Sequence, residues 1–560
     1  MKNIAKFISL GVVFFLSSCS LTDLEGNLDN PNEVGLAALD ANLLNNKIQA
    51  DFGEFFQLAN DPALDLCRMT AMIGGDVYER GFDPQDHNDM WERAYQDVLI
   101  SIQTLHTKTD GNANLAIYSG TTRVLKAYVL LTLVDLYGDV PYSQALKGGS
   151  GAANFNPGTD TGRSIYDAAI AMLDEADGLL ATATIPTGFR DIYYPGTAAV
   201  SVPKWRALAN TLKLKAYMNL RLTDNTAAGK IADLLTKDLI DTNAEEFTYK
   251  YSAASTPARA RHPLYRQMYG TATGEVSGYI NNQYMNICYK QKGVEDPRWR
   301  YYFYRQVGSI NKALSDEPES IPCIISPYPA HYPAGMAFCA FDPGFFGREH
   351  GNADGIPPDG RALTCFGVYP AGGRPDLNNG DANYHGMTVQ GQGASGAGIE
   401  PIWMASFTEF LKAEALLVAN LDASAMIASG IAKSIDRVKA FGVEKGQVVP
   451  ANLIASDSAY QLAVATAYAG GSTDDKWNVY AKEFYIALWG NGIEGYNLYR
   501  RTQKPGTQDM QPMRGATPGK YQYTLVYPSD FVNLNSSTAQ KVPTAVNKVF
   551  WDNNGDNISF

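Results

Sequence analysis

The stretch from Ala116 to Ala145, AIYSGTTRVLKAYVLLTLVDLYGDVPYSQA, constrains what this chain can fold into more than any other. Val124, Leu125, Tyr128, Val129, Leu131, Leu133, Val134 and Leu136 leave almost no polar face, interrupted only by Lys126, Thr132 and Asp135. That pattern predicts a central helix buried on most sides, not a surface amphipath. Gly138 can take the C-cap position with positive φ, and Pro141 blocks any continuation into Tyr142. A helix of roughly 20 residues buried this thoroughly needs neighbours on several sides, so the chain should be a packed helical assembly.

Helical periodicity recurs before and after this segment. A first helix is expected over Leu36 to Leu58, followed by a loop region from Asn60 to Asp89 that contains Asp61-Pro62, Gly74-Gly75 and Asp83-Pro84. The period resumes at Trp91 through Tyr95, Val98, Leu99 and Ile102. A glycine-rich break at Gly148 to Gly162 precedes a helix at Ser164 to Leu180. The next, over 203 to 222, opens with Pro203 at an N1-like position and places Lys204, Arg206, Lys213, Lys215 and Arg221 outside. Ile231 to Ile240 forms a shorter helix. From Pro401 onward Trp403, Phe407, Phe410, Leu411 and Leu417 fit a helix, Ser434 to Phe441 and Ser458 to Tyr468 continue the pattern, and Ser472 with Asp475 forms a capping box before Trp477. The end of the chain reads as loop and edge structure. Paired helices of about 15 to 20 residues suggest a superhelical array, although no clean repeat consensus is present.

Between Phe247 and about Ile402 the helical period disappears and Gly, Pro, Asn and Tyr crowd together, as in NNQYMNICYK and DPRWRYYFYR. This is too long for a simple connection and predicts an insertion of short strands and loops that carries the functional surface. Tyrosine is abundant, 33 against 23 Phe and 7 Trp. Its ring is favoured where a surface must be rigid and wet, although many of these residues simply pack at half-buried positions.

The N-terminus reads as an export signal. Lys2 and Lys6 form a basic region, Ile8 to Leu16 a short apolar core, and Leu16 to Cys19 reads LSSC. The apolar run is too short to span a bilayer, so residues 1–18 are excluded from the fold as a lipoprotein signal peptide, with an ordinary secretory signal as the alternative. Acylation at Cys19 would tether the mature chain stably to a membrane. The chain is acidic, 46 basic against 58 acidic residues, with no long Lys/Arg run, which makes nucleic acid an unsuitable partner. Besides Cys19 there are Cys67, Cys288, Cys323, Cys339 and Cys365, an odd number without a CxxC. Cys323 and Cys339 can bridge a loop in an oxidising compartment, while buried free thiols are expected for most.

Four stretches together, the signal with Cys19, LKAYVLLTLVDLYGDVPYSQAL from Leu125, FLKAEALL from Phe410 and WGNGIEGYNLYRRTQKP from Trp489, resemble the SusD/RagB family of surface-exposed outer-membrane nutrient-binding lipoproteins. The resemblance implies a mainly α fold, a tetratricopeptide-like helix-pair superhelix with a long irregular insertion of loops and short strands. Its organisation would be a tether over 19–34, an N-terminal helical body over 35–246, an aromatic-rich ligand-binding region over 247–402 and a helical and loop segment over 403–560. It further implies a non-catalytic, lipid-anchored protein facing the cell exterior, which captures an oligosaccharide, with peptide as the alternative, for a SusC-like TonB-dependent transporter. Asp135, Tyr137, Gly138, Asp139, Pro141, Tyr142, Glu414, Arg500, Arg501 and the Asp296-Pro297-Arg298 run match scaffold positions. The ligand surface of the family draws on the loop after the first helix and on the middle region, which here bring Tyr78, Phe82, Asn281, Gln283, Tyr284, Tyr289, Trp299 and Tyr301. Sugar rings pack on such aromatic faces while their hydroxyls need amide partners.

Calcium is a secondary candidate at Asn352, Asp354 and Asp359, or at Asp376, Asn378 and Asp381, though neither set follows a spaced 12-residue loop and Asx turns explain both. His331, His350 and His385 are too dispersed for a zinc set. A glycoside hydrolase with two carboxylates is the rival class, but no GxSxG or HExxH is present.

Overall fold

A computed structural model of the chain describes residues 40–72, 83–151, 154–269, 278–289, 291–315, 323, 339–348, 362–506, 521–541 and 547–554. Helix α1 (Ala41–Leu66) is capped by Asp40, whose carboxylate accepts the Asn42 N–H at 2.8 Å. It starts later than the expected Leu36 and continues through Asp61-Pro62, where a loop was expected, because its apolar face remains buried as far as Leu66. Strand β1 (Thr70–Ala71) follows. A helical run then comprises α2 (Asn88–Glu92), a π-helical segment (Arg93–Leu99) and α3 (Ile100–Thr109).

The central helix α4 (Ala116–Tyr137) is where the sequence predicts it, with every residue buried except half-buried Arg123 and Lys126. Gly138 ends it at φ +81°. Helix α5 (Gly162–Leu180) packs on it most extensively. The two approach closely because Gly120 faces Leu180 and Gly162 faces Val134, where a Cβ would meet the neighbouring side chain at 2.7 and 2.9 Å. Helices α6 (Ala198–Leu220) and α7 (Ala227–Leu234) complete this layer. α6 begins ahead of Pro203, which lies inside the helix, not at its start.

The middle of the chain contains strands β2 (Phe247–Lys250), β3 (Tyr279–Ile280), β4 (Phe303–Tyr304), β5 (Ala340–Phe341), β6 (Phe345–Phe346), β7 (Cys365–Phe366) and β8 (Ile399–Trp403). They pair as antiparallel ribbons, β1 with β3, β2 with β8, β4 with β7 and β5 with β6. Short helices α8 (Pro263–Met268), α9 (Asn282–Tyr289), α10 (Trp299–Tyr302) and α11 (Ile310–Ser315) lie between them. The β2–β8 pair joins the two ends of this irregular stretch, Phe247 opposite Trp403. Trp403 is therefore the end of a strand, and the helix expected around it starts at Ala405. A disulfide links Cys323 and Cys339 beside Val307 and Phe346, while Cys67, Cys288 and Cys365 are buried free thiols.

Helices α12 (Ala405–Val418), α13 (Ser424–Glu444), α14 (Asp457–Gly470), α15 (Thr473–Ala487) and α16 (Gly492–Thr502) form the second helical layer, and α17 (Ser529–Leu534) lies near the end. α12 pairs with α13, and the expected capping box of Ser472 and Asp475 starts α15. One hydrophobic core runs from Ala41 to Trp551. Among the described residues no helix is long and apolar enough to cross a membrane.

A buried polar network ties the layers together. The Asp135 carboxylate on α4 accepts from Lys215 at 3.0 Å, Asn497 at 2.9 Å, Trp551 at 3.1 Å and the Tyr166 hydroxyl. Lys215 also meets Glu494 at 3.1 Å. Glu414 on α12 receives Arg501 through two nitrogens at 2.7 and 2.8 Å, Arg221 at 2.8 Å and the Tyr480 hydroxyl at 2.6 Å. Asn219 bridges the two halves by accepting from Arg501 and donating to Tyr166. Of the residues expected outside, Lys213 and Lys215 are buried and Arg221 is half-buried, because Asp174, Asp135 with Glu494, and Glu414 respectively compensate their desolvation. Burial alone would raise the Glu414 carboxyl, but Arg501 and Arg221 hold it at about 2.

Two stability outcomes follow from these contacts. Arg501→Met strands the Glu414 carboxylate with reduced compensation and should cost about 3–5 kcal/mol in denaturant unfolding, part of which Glu414→Gln in the same chain should restore. A second buried carboxyl, Glu400 on β8, accepts from Tyr251 at 3.0 Å and is pushed by burial up to about 8. His262 lies 3.5 Å from it, but burial lowers that imidazole to about 3, so the contact is not an ion pair. The folded state keeps a proton on Glu400 that the unfolded chain releases above its ordinary value of 4.5. Its stabilisation is complete below that pH and is lost as pH rises through about 8. Melting temperature should therefore fall less for Glu400→Gln than for the parent protein between about pH 6 and 9, as measured by calorimetry.

Candidate functional site

The structure gathers the expected middle-region residues into one aromatic cluster, but it buries them. Asn281 caps α9, its side-chain oxygen accepting the Tyr284 N–H at 3.0 Å. The Tyr284 hydroxyl reaches the carbonyls of Tyr485 and Ile486 at 3.3 Å, and its ring stacks on Trp489 at 5.0 Å. Tyr289 packs edge-on to Trp299, whose indole N–H donates to Glu295 at 3.3 Å and whose face carries the Arg300 guanidinium at 4.4 Å. The Tyr301 hydroxyl accepts the Val449 N–H at 3.3 Å. Asn281, Tyr284, Tyr289, Trp299 and Tyr301 are all buried, so in this conformation they present no ring or amide to solvent; Gln283 is half-buried. The physical reason is that α9 docks on α15 through Tyr284, α10 lies against α13 with the Tyr301 ring at Gly442, and Tyr289 and Trp299 pack with Phe345 inside the middle region. Tyr78, Phe82 and Cys19 lie outside the described residues.

The polar loops resolve in the same direction. Asp376 accepts from Arg305 through both oxygens, at 2.5 and 3.2 Å, and the Asn378 carbonyl accepts from Arg300 and Arg305. The Asp376 carboxylate, a calcium candidate, is thus neutralised by arginine, and the Asn378 N–H closes an Asx turn on it at 2.9 Å. Asp381 likewise accepts the Asn383 N–H. Asn352, Asp354, Asp359, His331 and His350 lie outside the described residues, as His385 does not. In the Asp296-Pro297-Arg298 run, Asp296 and Arg298 pair at 2.6 Å, and Arg298 extends to Ser434 at 2.9 Å.

An open cleft of about 690 Å³ lies elsewhere, between α2 with its π-helical continuation, the turn-rich segment after α4, and α17. Trp91 packs against Phe531 with ring centroids 4.7 Å apart and against Tyr95 at 4.9 Å. The Tyr95 hydroxyl donates to the Pro141 carbonyl at 2.7 Å, which fixes the loop behind it. Asn88 holds α17 by donating to Ser529 at 2.9 Å and accepting the Asp530 N–H at 3.1 Å; Asn535 donates to the Pro157 carbonyl at 2.8 Å. Phe155 is 63 % exposed and Leu534 80 % exposed at the mouth. Glu92, Gln96, Asn154 and Asp530 add polar groups to the lining. Its volume and its apolar walls with few polar groups suit a small-molecule or oligomer site. The sequence signal for this site was Phe155, a lone aromatic in the GGSGAANFNPG turn segment.

Residues 39–316 match a SusD-like family model described as starch-binding associating with outer membrane. The fold is similar to that of a chitin-binding protein at 18 % identity and TM-score 0.63, covering 92 % of this chain and 100 % of that one. A SusD homologue of Bacteroides fragilis aligns at 17 % identity and TM-score 0.59, over 89 % and 94 % of the two chains. A SusD/RagB family protein of Bacteroides thetaiotaomicron aligns at 14 % identity and TM-score 0.62, over 92 % and 100 %. A comparison with curated proteins found no match.

Burial distinguishes packing residues from contact residues experimentally. Trp299→Ala should destabilise the fold by about 3–5 kcal/mol in denaturant titration. Gln283→Ala, at a half-buried position, should stay within about 0.5 kcal/mol of the parent.

Proposed function

We infer the role of this chain from the family to which it belongs, the SusD-like, or SusD/RagB, family of outer-membrane nutrient-binding proteins. The protein acts at the outer membrane, facing the cell exterior and anchored through acylated Cys19, and captures an oligomeric nutrient without chemistry. It passes that nutrient to a SusC-like TonB-dependent transporter, whose mouth the tetratricopeptide-like helix pairs cover. The ligand is an oligosaccharide. The observation that carries this is the open cleft, in which Phe155 and Phe531 offer faces for sugar C–H groups while Gln96 and Asn154 supply hydrogen-bonding partners. The chitin-binding relative is named for a polysaccharide and supports the same ligand class. Tyr78 and Phe82, which precede α2 in the sequence, are proposed as further contacts.

The test is a glycan and peptide binding screen on the protein from residue 20 onward, repeated with Phe155→Ala. Phe155 is largely exposed, so stability should be unchanged, while affinity for the bound glycan should fall about three- to tenfold. Binding of peptides alone would sink the ligand assignment. Turnover of a bound glycan, abolished by replacing one carboxylate, would sink the non-catalytic assignment.

A further inference from the structure

The charged side chains that line the cleft among the described residues all have one sign. Glu92 enters its lining from α2 and Asp530 from α17, and among the described residues no Lys, Arg or His lines it. Both carboxylates are solvent-exposed, and neither is in an ion pair among the described residues. Among the described residues, the cations nearby face other groups. Arg93 pairs with Asp51, Glu54 and Asp97 at 3.2, 2.9 and 2.9 Å on the far side of its helix. Lys147 lies between the lining residues Leu146 and Gly148 without lining the cleft itself, and its charge acts on Asp160, which also accepts the N–H groups of Tyr142 and Ser143. Lys541 donates to the Tyr137 carbonyl at 2.5 Å over the Tyr527 ring. His87 is buried and, with Lys541 beside it, is held neutral at about 4.

We propose that this cleft selects oligosaccharides bearing primary amines, over neutral chains and most strongly over chains of uronic acid. The proposal rests on the reading of the cleft as the glycan site. An ammonium group seated between Phe155 and Phe531 can make charge-assisted hydrogen bonds to Glu92 or Asp530, whereas a uronate meets two carboxylates with no counter-charge. The ring faces serve every sugar alike, so the aromatics supply affinity and the carboxylates supply the choice. The acidic balance of the whole chain acts in the same direction at long range.

Calorimetric titration of the protein from residue 20 onward at about pH 6 would compare oligomers of glucosamine, N-acetylglucosamine and galacturonate of equal length. Glucosamine oligomers should bind about fivefold more tightly than their acetylated counterparts, galacturonate should bind most weakly, and the difference should shrink as salt is raised. The double variant Glu92→Gln/Asp530→Asn should bring glucosamine and N-acetylglucosamine oligomers to the same affinity while Phe155→Ala weakens both. Equal affinities in the parent protein, a preference that survives the double variant, or binding of a lysine-rich peptide in place of every sugar would overturn the proposal. Binding of sugars with no response to Phe155→Ala would overturn the reading of the cleft beneath it as well.

Discussion

The contact between Asp135 and Lys215 sits at the centre of the molecule, and the arrangement of the two helical layers depends on it. A charged pair taken out of water is costly unless every remaining hydrogen-bonding position is met. Here Tyr166 from α5, Glu494 and Asn497 from α16, and Trp551 from the segment beyond α17 meet them. The Glu414–Arg501 pair repeats the solution a short distance away, and Asn219 connects the two. Helices α4, α5, α6, α12, α15 and α16 can slide or rotate only by stranding one of these groups. The network contributes a unique register, which apolar packing alone specifies less sharply.

That fixed register makes an open cleft with apolar walls possible at the edge of the body. α2 is held against α1 and the end of the chain by the core, so Trp91 is fixed in position and Phe531 can pack on it without any long loop having to find its place. The aromatic-rich middle plays the complementary part. Tyr284 ties the irregular segment to α15, Tyr301 ties it to the end of α13 and to Val449, and the β2–β8 ribbon draws its ends together. A segment with little regular secondary structure is thereby made part of the same core.

The central helix, the capping box at Ser472 and the scaffold role of Glu414 and Arg501 were legible in the sequence, because each is a local pattern or a family motif. Lys215 was misplaced because periodicity assigns a lysine outward and carries no information about a carboxylate 80 residues away. Trp403 looked helical because one apolar residue before a helix is indistinguishable from its first turn; only pairing with Phe247 makes it a strand. The tyrosines of the middle region read equally well as a wet surface or as a seam, since an amphipathic ring suits both. The cleft was hidden for a different reason. Its walls come from Trp91, Phe155 and Phe531, and no spacing rule joins such distant positions.

The hydrogen bond between Asn88 and Ser529 closes a loop of 441 residues. Contacts of such separation form late, because the chain entropy they remove must first be offset by everything between them. The same applies to Trp551, which reaches back to Asp135 from close to the C-terminus. A chain clipped after α16 lacks one wall of the cleft and one hydrogen-bond donor to the central carboxylate. The edge of the cleft and the centre of the fold therefore share one dependence on the segments after α16.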